Sequence, residues 1–468
     1  MSEAKQIGVL GAGTWGMALA RLLYMNGHGV TVWSALPEEI ERLSATRMHP
    51  NLPGMTVPEE IGFTTELETA CRGKDILLFA VPSVFVRQTA RKAAPFMPDG
   101  QIIVDVAKGI EPDTLLTMTE VIREEVCRDG RHGNVKLVAL SGPTHAEEVA
   151  LDMPTSIVSA CQDMEVAELV QDVFMQSLRD SASCMRTYTN SDVLGVELCG
   201  ALKNIVALAA GISTGLGYGD NAKAALITRG MAEITRLGLA MGCSEQTFGG
   251  LAGIGDLIVT ATSQHSRNNH CGVLLGQGMK AEDAIREVGM VVEGVNALPA
   301  AMQLAERFGV DMPIVTGVNA VVQGLMSPAD MGNALMTRDK TREVDQKDMN
   351  ARFHSALMRR RMHGETRRVM VAGTFPMLTY EEIAWLKSAK ELGTWLAVAL
   401  VDDGDEKKLA ERTATLSALR CVDRVIPVKN WEALAEAMQA LRIDVMAVRT
   451  WQAEQFDGRE LNAEVIVL

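Results

Sequence analysis

Six short apolar runs punctuate the first 160 residues: IGVL (7–10), VTVW (30–33), ILLFAV (76–81), IIVDVA (102–107), KLVAL (136–140) and SIVSA (156–160). Each is four to six residues long and rich in Val and Ile, which suits a buried strand. Amphipathic segments such as Met17 to Tyr24 lie between them. Strands that alternate with helices predict a parallel, doubly wound α/β sheet with right-handed crossovers. From about Asn190 the pattern changes. SDVLGVELCGALKNIVALAAGI and NAKAALITRGMAEITRLGLAMG have helical spacing and almost no strand signal, so a helical domain is expected, ending near Leu335. Arg338 to Arg368 then reads as a hydrophilic joint, and its arginine cluster suits a solvated linker helix. After it, RRVMVAGTF, LAVALV, DRVIPV and DVMAV alternate with helical stretches again, predicting a separate small α/β domain.

A chain of 468 residues exceeds what one core usually supports, which agrees with two or three domains. A net charge of −14 excludes a general affinity for nucleic acid or an anionic membrane. The longest apolar stretch, Leu198 to Leu216, contains Lys203 and Asn204 and is flanked by Glu197 and Asp220. Those groups would be costly in a lipid span, so a buried core helix is expected and no stable membrane insertion. MSEAKQIGVLGAG runs directly into a strand, without a basic segment followed by an apolar one, so no secretory signal is expected. The eight cysteines are scattered, with no Cys-x-x-Cys. Neither a metal site nor a disulfide framework is expected, and a reducing cytoplasm fits.

GAGTWG, Gly11 to Gly16, follows the strand IGVL and opens a helix. Gly11 allows a tight turn, Gly13 lets the backbone approach a pyrophosphate, and Gly16 lets helix and strand pack closely. The helix N-terminus offers free N–H groups and partial positive charge to phosphates. A dinucleotide is therefore the expected cofactor. An acid at the end of the second strand would hold the ribose 2′-hydroxyl, and an arginine would accept a 2′-phosphate. VTVWSALPEE supplies neither at Ser34, Ala35 or Leu36. Glu38 and Glu39 come later and suit the first turn of the next helix equally well. The choice between NAD and NADP stays open, and the missing arginine favours NAD.

Two lysines stand apart. Lys108 lies just beyond IIVDVA, at the strand end where open α/β sheets bind ligands; it reads either as a group reaching a substrate anion or carbonyl or as a surface lysine. Lys203 sits among apolar neighbours in ELCGALKNIVAL. It either snorkels to the surface or is a desolvated amine whose pKa has fallen toward neutrality, with Lys108 pushing it the same way. Hydride reduction of a ketone needs such a proton donor, because charge develops on oxygen as hydride reaches carbon. GIGDLIVTATSQHSRNN groups Asp256, Thr260, Ser266, Arg267 and Asn268 in a glycine-flanked segment. Arg267 could grip a phosphate through two parallel N–H bonds, and Asp256 could orient Lys203; the plainer reading is a polar loop with a helix cap.

Taken together these segments resemble bacterial NAD(P)-dependent glycerol-3-phosphate dehydrogenase. The resemblance spans roughly residues 5–336 and rests on GAGTWGMALA, HPNLPG (49–54), AVPS (80–83), AKGIE (107–111), SGPTHAEEVA (141–150), the long run 196–230, GLAGIGDLIVTATSQHSRN (250–268) and VVEGV (291–295). It implies that Lys203 is the proton donor and acceptor. It implies that Lys108, Gly142, Thr144, Asp256, Ser266, Arg267 and Asn268 contact glycerol phosphate. Thr14, Trp15, Lys108, Ala146, Arg267, Val291 and Glu293 would join Gly11, Gly13 and Gly16 in contacting NAD or NADP. The family often carries basic residues where Ser34 to Leu36 stand here. His145, His265 and His270 lie near these motifs and receive no role.

Residues 368–468 resemble glycerol-3-phosphate cytidylyltransferase through VAGTF (371–375), LKSAKELG with the strand after it (386–401), Arg412, VDRVIPVKNW (422–431) and RIDVMAV (442–448). That family has a His-x-x-His pair where Thr379 and Glu382 stand here, and Pro376 replaces the aspartate that usually follows GTF. A carboxylate there would repel a triphosphate, so an inert or structural domain is expected. The expected organisation is a dinucleotide-binding domain at 1–190, a helical substrate domain at 191–337, a linker at 338–367 and a cytidylyltransferase-like domain at 368–468. The expected reaction interconverts dihydroxyacetone phosphate and sn-glycerol 3-phosphate for glycerophospholipid synthesis, in a cytoplasmic homodimer. The alternatives are a bifunctional enzyme that also makes CDP-glycerol, a related hydroxy-acid dehydrogenase, and a dinucleotide sensor without turnover.

Overall fold

The computed structural model describes residues 3–175, 183–263, 265–338, 368–393, 395–402, 406–419, 421–430, 433–449 and 463–468. Two compact units make up the chain, Met1–Ala351 and Arg352–Leu468. The joint expected at 338–367 lies, apart from Arg338, outside the described residues.

The first unit is built on eight strands: β1 (Gln6–Leu10), β2 (Gly29–Trp33), β3 (Gly62–Thr64), β4 (Ile76–Phe79), β5 (Ile102–Asp105), β6 (Lys136–Ser141), β7 (Thr155–Ala160) and β8 (Met185–Asn190). Their order in the sheet is β3-β2-β1-β4-β5-β6-β7-β8. The chain leaves the central β1 toward one edge and then crosses to the other, which is the doubly wound arrangement and puts a crevice at the carboxyl ends of β1 and β4. Strands buried on both faces explain the continuous apolar runs: Ile7, Val9, Leu78 and Val104 are all within 1% of full burial. One expectation is corrected. The sheet is not parallel throughout, because β6 and β7 pair antiparallel, with Leu140 opposite Ser159. The connection between them holds a helix of only five residues, Ala146–Ala150. It turns the chain back beside β6 instead of carrying it across the sheet face as a parallel crossover must. β3 and β8 also lie outside the expected set. β8, MRTYTN, buries Met185 and Thr187 and exposes Arg186 and Tyr188, an edge pattern that an apolar-run reading passes over.

The helix Val193–Gly215 forms the centre of the second lobe of this unit, with every residue from Gly195 to Ser213 buried. Its length and hydropathy would suffice to cross a membrane, yet 89% of its most apolar window is packed inside the unit. Two contacts set where it lies. Glu197, buried, accepts the Thr119 amide at 2.8 Å and the Thr117 and Thr119 hydroxyls at 2.8 and 2.6 Å, tying the helix to the lobe that carries the sheet. Burial lifts its carboxyl to about 7, against the pull of those three donors. About four to five turns further along, on much the same face, the helix meets Arg267–Gly276 through glycines. A Cβ at Gly211 would lie 2.1 Å from the Asn269 carbonyl oxygen, and one at Gly272 would lie 2.2 Å from that of Leu208. Gly215 and Gly276 repeat the contact one turn on, at 2.3 Å from Val273 O and 2.4 Å from Ile212 O. Backbone therefore touches backbone, which brings the start of the second helix beside Lys203 and Asn204.

The second unit has five strands, β9 (Arg368–Gly373), β10 (Trp395–Val401), β11 (Arg424–Val428), β12 (Val445–Val448) and β13 (Glu464–Val467). They pair in parallel in the order β11-β10-β9-β12-β13. Val369, Val371, Leu396, Val398 and Leu400 fill one face of this sheet at full burial. β13 is one strand beyond the four expected there.

Candidate active site

The glycine loop behaves as its spacing predicts. Gly11 has φ +124°, and a Cβ there would lie 2.6 Å from the Ala80 carbonyl oxygen. A Cβ at Gly16 would meet the Gly11 carbonyl oxygen at 2.1 Å. Gly13 is different: nothing lies within 4 Å of where its Cβ would be. It is also the N-cap of the helix Thr14–Met25, with no side-chain cap and no acidic residue in the first turn. The amide groups and positive pole of that helix face an open crevice of about 590 Å³, lined by Gly13, Thr14, Trp15, Lys108 and Lys203 among others. An uncapped N-terminus, a glycine with space beside it and a cavity of small-molecule size together fit a dinucleotide.

HPNLPG closes the outer side of the crevice. His49 is 5% exposed; its Nδ1 accepts the Asn51 amide at 3.2 Å, and the Ala12 carbonyl is its other partner. Burial holds its pKa below the usual histidine value. A neutral ring thus pins Pro50 and Asn51, both of which line the crevice, against the glycine loop.

Deeper in, Asp256 stands between the two lysines. It is fully buried, with Oδ1 accepting from Lys203 Nζ and Oδ2 from Lys108 Nζ at 2.7 Å. Lys203 Nζ also donates to Thr260 Oγ1 at 2.6 Å, and Lys108 Nζ to the Gly142 carbonyl at 3.3 Å. Lys203, 3% exposed, has its pKa drawn down to about 7, chiefly by burial. Asp256 opposes that shift and the nearby Lys108 ammonium adds to it. A pKa there suits an amine that is to give and take a proton near neutrality.

Around this centre the polar groups are spread over several helices. Ser266 caps Arg267–Gly276 by accepting the Asn269 amide at 3.2 Å. Asn268 donates to Asn204 Oδ1 at 3.0 Å and accepts the Gly294 amide at 2.8 Å. Arg267 lines the crevice and makes no hydrogen bond or ion pair among the described residues. Glu293, at the start of Glu293–Phe308, accepts the Ser83 hydroxyl at 2.9 Å, a bond that spans the crevice between the lobes. Burial raises its pKa, and Ser83, Asn296 and Arg267 pull it the other way. His145 and His265 sit with ring centroids 5.9 Å apart, and burial lowers the pKa of His145.

The structure brings Thr14, Trp15, Lys108, Thr144, Ala146, Lys203, Ser266, Arg267, Asn268, Val291 and Glu293 to one crevice. Gly11, Gly16, Gly142 and Asp256 stand behind its wall; the glycines shape backbone and Asp256 holds the lysines. Ser83, Asn204, Arg42 and His49 also reach it and were given no role from the sequence, and so does Glu39, which the sequence left open between a ribose contact and a helix first turn. AVPS and HPNLPG marked two of those segments, but only the fold shows which side chain faces inward.

Comparison with known proteins agrees with this geometry. Residues 6–167 match the family model for the NAD-dependent glycerol-3-phosphate dehydrogenase N-terminus, and residues 192–333 match that for its C-terminus. Glycerol-3-phosphate dehydrogenase [NAD(P)+] 2 of Lactobacillus delbrueckii subsp. bulgaricus is 66% identical over 339 residues, covering 72% of this chain and 99% of the relative. The chain belongs to the NAD-dependent glycerol-3-phosphate dehydrogenase family. The dehydrogenase is also 49% identical to the Agathobacter rectalis glycerol-3-phosphate dehydrogenase [NAD(P)+] over 337 residues, 72% of this chain and 96% of that one. The crystal structure of glycerol-3-phosphate dehydrogenase from Coxiella burnetii superposes with a TM-score of 0.67 at 32% identity, covering 72% of this chain and 99% of the other. It is thus an NAD(P)-dependent oxidoreductase with a Rossmann-type sheet and a helical lobe. The matched residues of the two family models end at 333, before the second unit.

In that second unit the turn after β9 is built in another way. Phe375 has φ +41°, and its ring lies 3.0 Å from where a Cβ on Gly373 would be. The ring is 4% exposed and stacks on Trp385 at 6.1 Å between centroids. Thr379 and Glu382 form a capping box on the helix Tyr380–Glu391: the Glu382 amide donates to Thr379 Oγ1, and the Thr379 amide donates to Glu382 Oε2, both at 3.2 Å.

Proposed function

We propose that the dehydrogenase interconverts dihydroxyacetone phosphate and sn-glycerol 3-phosphate, with Lys203 as its proton donor and acceptor. The observation that carries this is the buried Lys203–Asp256–Lys108 array opening onto the same crevice as Arg267 and the uncapped glycine-loop helix. Arg267, helped by Ser266 and Asn268 at the same helix start, holds the substrate phosphate; its planar fork suits two parallel N–H···O bonds. Gly142 and Thr144 complete the substrate's surroundings. The residues that hold the dinucleotide are Gly11, Gly13, Thr14, Trp15, Gly16, Ala146, Val291 and Glu293, with Lys108 and Arg267 shared between the two ligands. The bound dinucleotide supplies or removes the hydride at the carbon that bears the reacting oxygen. Lys203 gives its proton to that oxygen as charge gathers there, and takes it back in the reverse direction. Lys108 polarises the same oxygen. Asp256 keeps both ammonium groups aimed into the crevice, a preorganisation that avoids reorienting dipoles during the reaction.

The reading divides the chain into a dinucleotide-binding domain at 1–190, a substrate domain at 191–337, a joint at 338–367 and a cytidylyltransferase-like domain at 368–468. The parallel five-stranded sheet of the last domain supports that likeness. Its catalytic role is lost, because the pair that would carry the imidazoles now caps a helix. The enzyme works in the cytoplasm as a homodimer, is not inserted in a membrane, and feeds glycerophospholipid synthesis. The test is loss of NADH or NADPH absorbance on adding dihydroxyacetone phosphate to the full-length protein. Folded protein that oxidises neither reduced cofactor sinks the reading. CTP and glycerol 3-phosphate should release no pyrophosphate, and any measurable release restores a catalytic tail.

A further inference from the structure

The end of β2 decides which dinucleotide this site prefers. Ser34 is 4% exposed and stands directly after the last strand residue, Trp33. Its hydroxyl donates to Glu39 Oε2 at 2.6 Å and accepts the Leu36 amide at 3.2 Å. The single hydroxyl proton is thereby committed, and the carboxylate is drawn back to the strand end although five residues separate the two in sequence. Glu39 also lies in the first turn of the helix Pro37–Thr46, whose positive pole favours a carboxylate there. It lines the crevice together with Gly13, Thr14 and the pinned Pro50 and Asn51. Where the sequence left Glu39 open between a ribose contact and the first turn of the next helix, the fold places its carboxylate, held by Ser34, beside the glycine loop.

We infer that Glu39, positioned by Ser34, selects NAD(H) over NADP(H) at this site. The inference rests on the dehydrogenase reading. A carboxylate so held accepts hydrogen bonds from ribose hydroxyls, whereas a 2′-phosphate brings like charge against it. Arg42 is the opposing group. It lines the same crevice, but it is exposed and its guanidinium makes no ion pair among the described residues. Recruiting it to a phosphate means ordering a long, free side chain, while Glu39 is already in place. The basic residues that would outweigh the acid are missing: positions 34 to 36 are Ser, Ala and Leu.

Titration calorimetry on the full-length protein with NAD⁺ and with NADP⁺ tests this without turnover, and kcat/KM for NADH and NADPH follows. NAD⁺ should bind at least about tenfold more tightly than NADP⁺, a difference that one like-charge contact readily supplies. Glu39→Gln should narrow that ratio by about tenfold, with NADP⁺ gaining and NAD⁺ losing. Ser34→Ala, which frees the carboxylate without removing it, should narrow it in the same direction by less. Equal or tighter NADP⁺ binding by the unaltered protein overturns the inference and leaves the dehydrogenase reading standing. So does a ratio that Glu39→Gln does not move, or one that collapses only in Arg42→Ala. Binding of neither dinucleotide overturns both.

Discussion

Two strand–glycine–helix turns, one in each unit, start from similar material and end as opposites. After β1, the space beside Gly13 is empty and the helix that follows has no side-chain cap. After β9, Phe375 fills the space beside Gly373 and the next helix caps itself through Thr379 and Glu382. The first turn keeps its N–H groups and its volume for a ligand. The second spends both on its own fold. The difference teaches that a nucleotide-type turn is defined less by its backbone path than by what is left unpaired and unfilled there.

The comparison can be broken at either end. The largest effect should come from Lys203→Ala, with turnover falling by about 10²- to 10⁴-fold at retained circular dichroism, the range expected for a positioned acid–base. Rates within a few-fold of the unaltered enzyme would remove the amine from the mechanism. Phe375→Ala should next empty the second turn and destabilise the second unit by about 3–5 kcal/mol, seen as a lower denaturant midpoint for that unit. Reductase rates should stay put; a matched fall in activity would show that the two turns are not independent. The pH profile sharpens the first end. In the proposed mechanism reduction needs the Lys203 ammonium, whose pKa is lowered to about 7, so kcat for reduction should hold below that pH and fall about tenfold per unit above it. Oxidation needs the neutral amine and should rise through the same pH; profiles flat from about pH 6 to about pH 9 would contradict the assignment. The smallest effect is expected from ending the chain after Arg338, which should leave kcat/KM within about twofold, since every described residue that lines the crevice belongs to the first unit.

Much of the first turn was legible because each glycine obeys a local steric rule: Gly11 and Gly16 meet carbonyl oxygens only a few residues or one strand away. The Lys203–Asp256 contact was legible as chemistry, since an isolated ammonium among aliphatic neighbours needs a partner. What escaped depends on the third dimension. Glu39 looked late because distance along the chain was taken for distance in space; the turn Ser34–Leu36 folds it back to the strand end. Ser83 and Glu293 lie 210 residues apart, and nothing in either segment announces the other. The antiparallel β6–β7 pair hid behind a run that reads equally well in either direction. At Thr379 and Glu382 the signal was present in another form: Thr-x-x-Glu before a helix is a capping box, and the expectation of an imidazole pair at those positions drew attention from it.

The glycine contacts between Val193–Gly215 and Arg267–Gly276 carry a last consequence. In the proposed mechanism the span from proton donor to phosphate clamp is gauged by hydrogen atoms at Gly211, Gly215, Gly272 and Gly276, none of which lines the crevice. A single methyl at any of them would act as a shim. It would force the two helices apart and, in the proposed mechanism, move the guanidinium away from the amine that a single substrate has to reach.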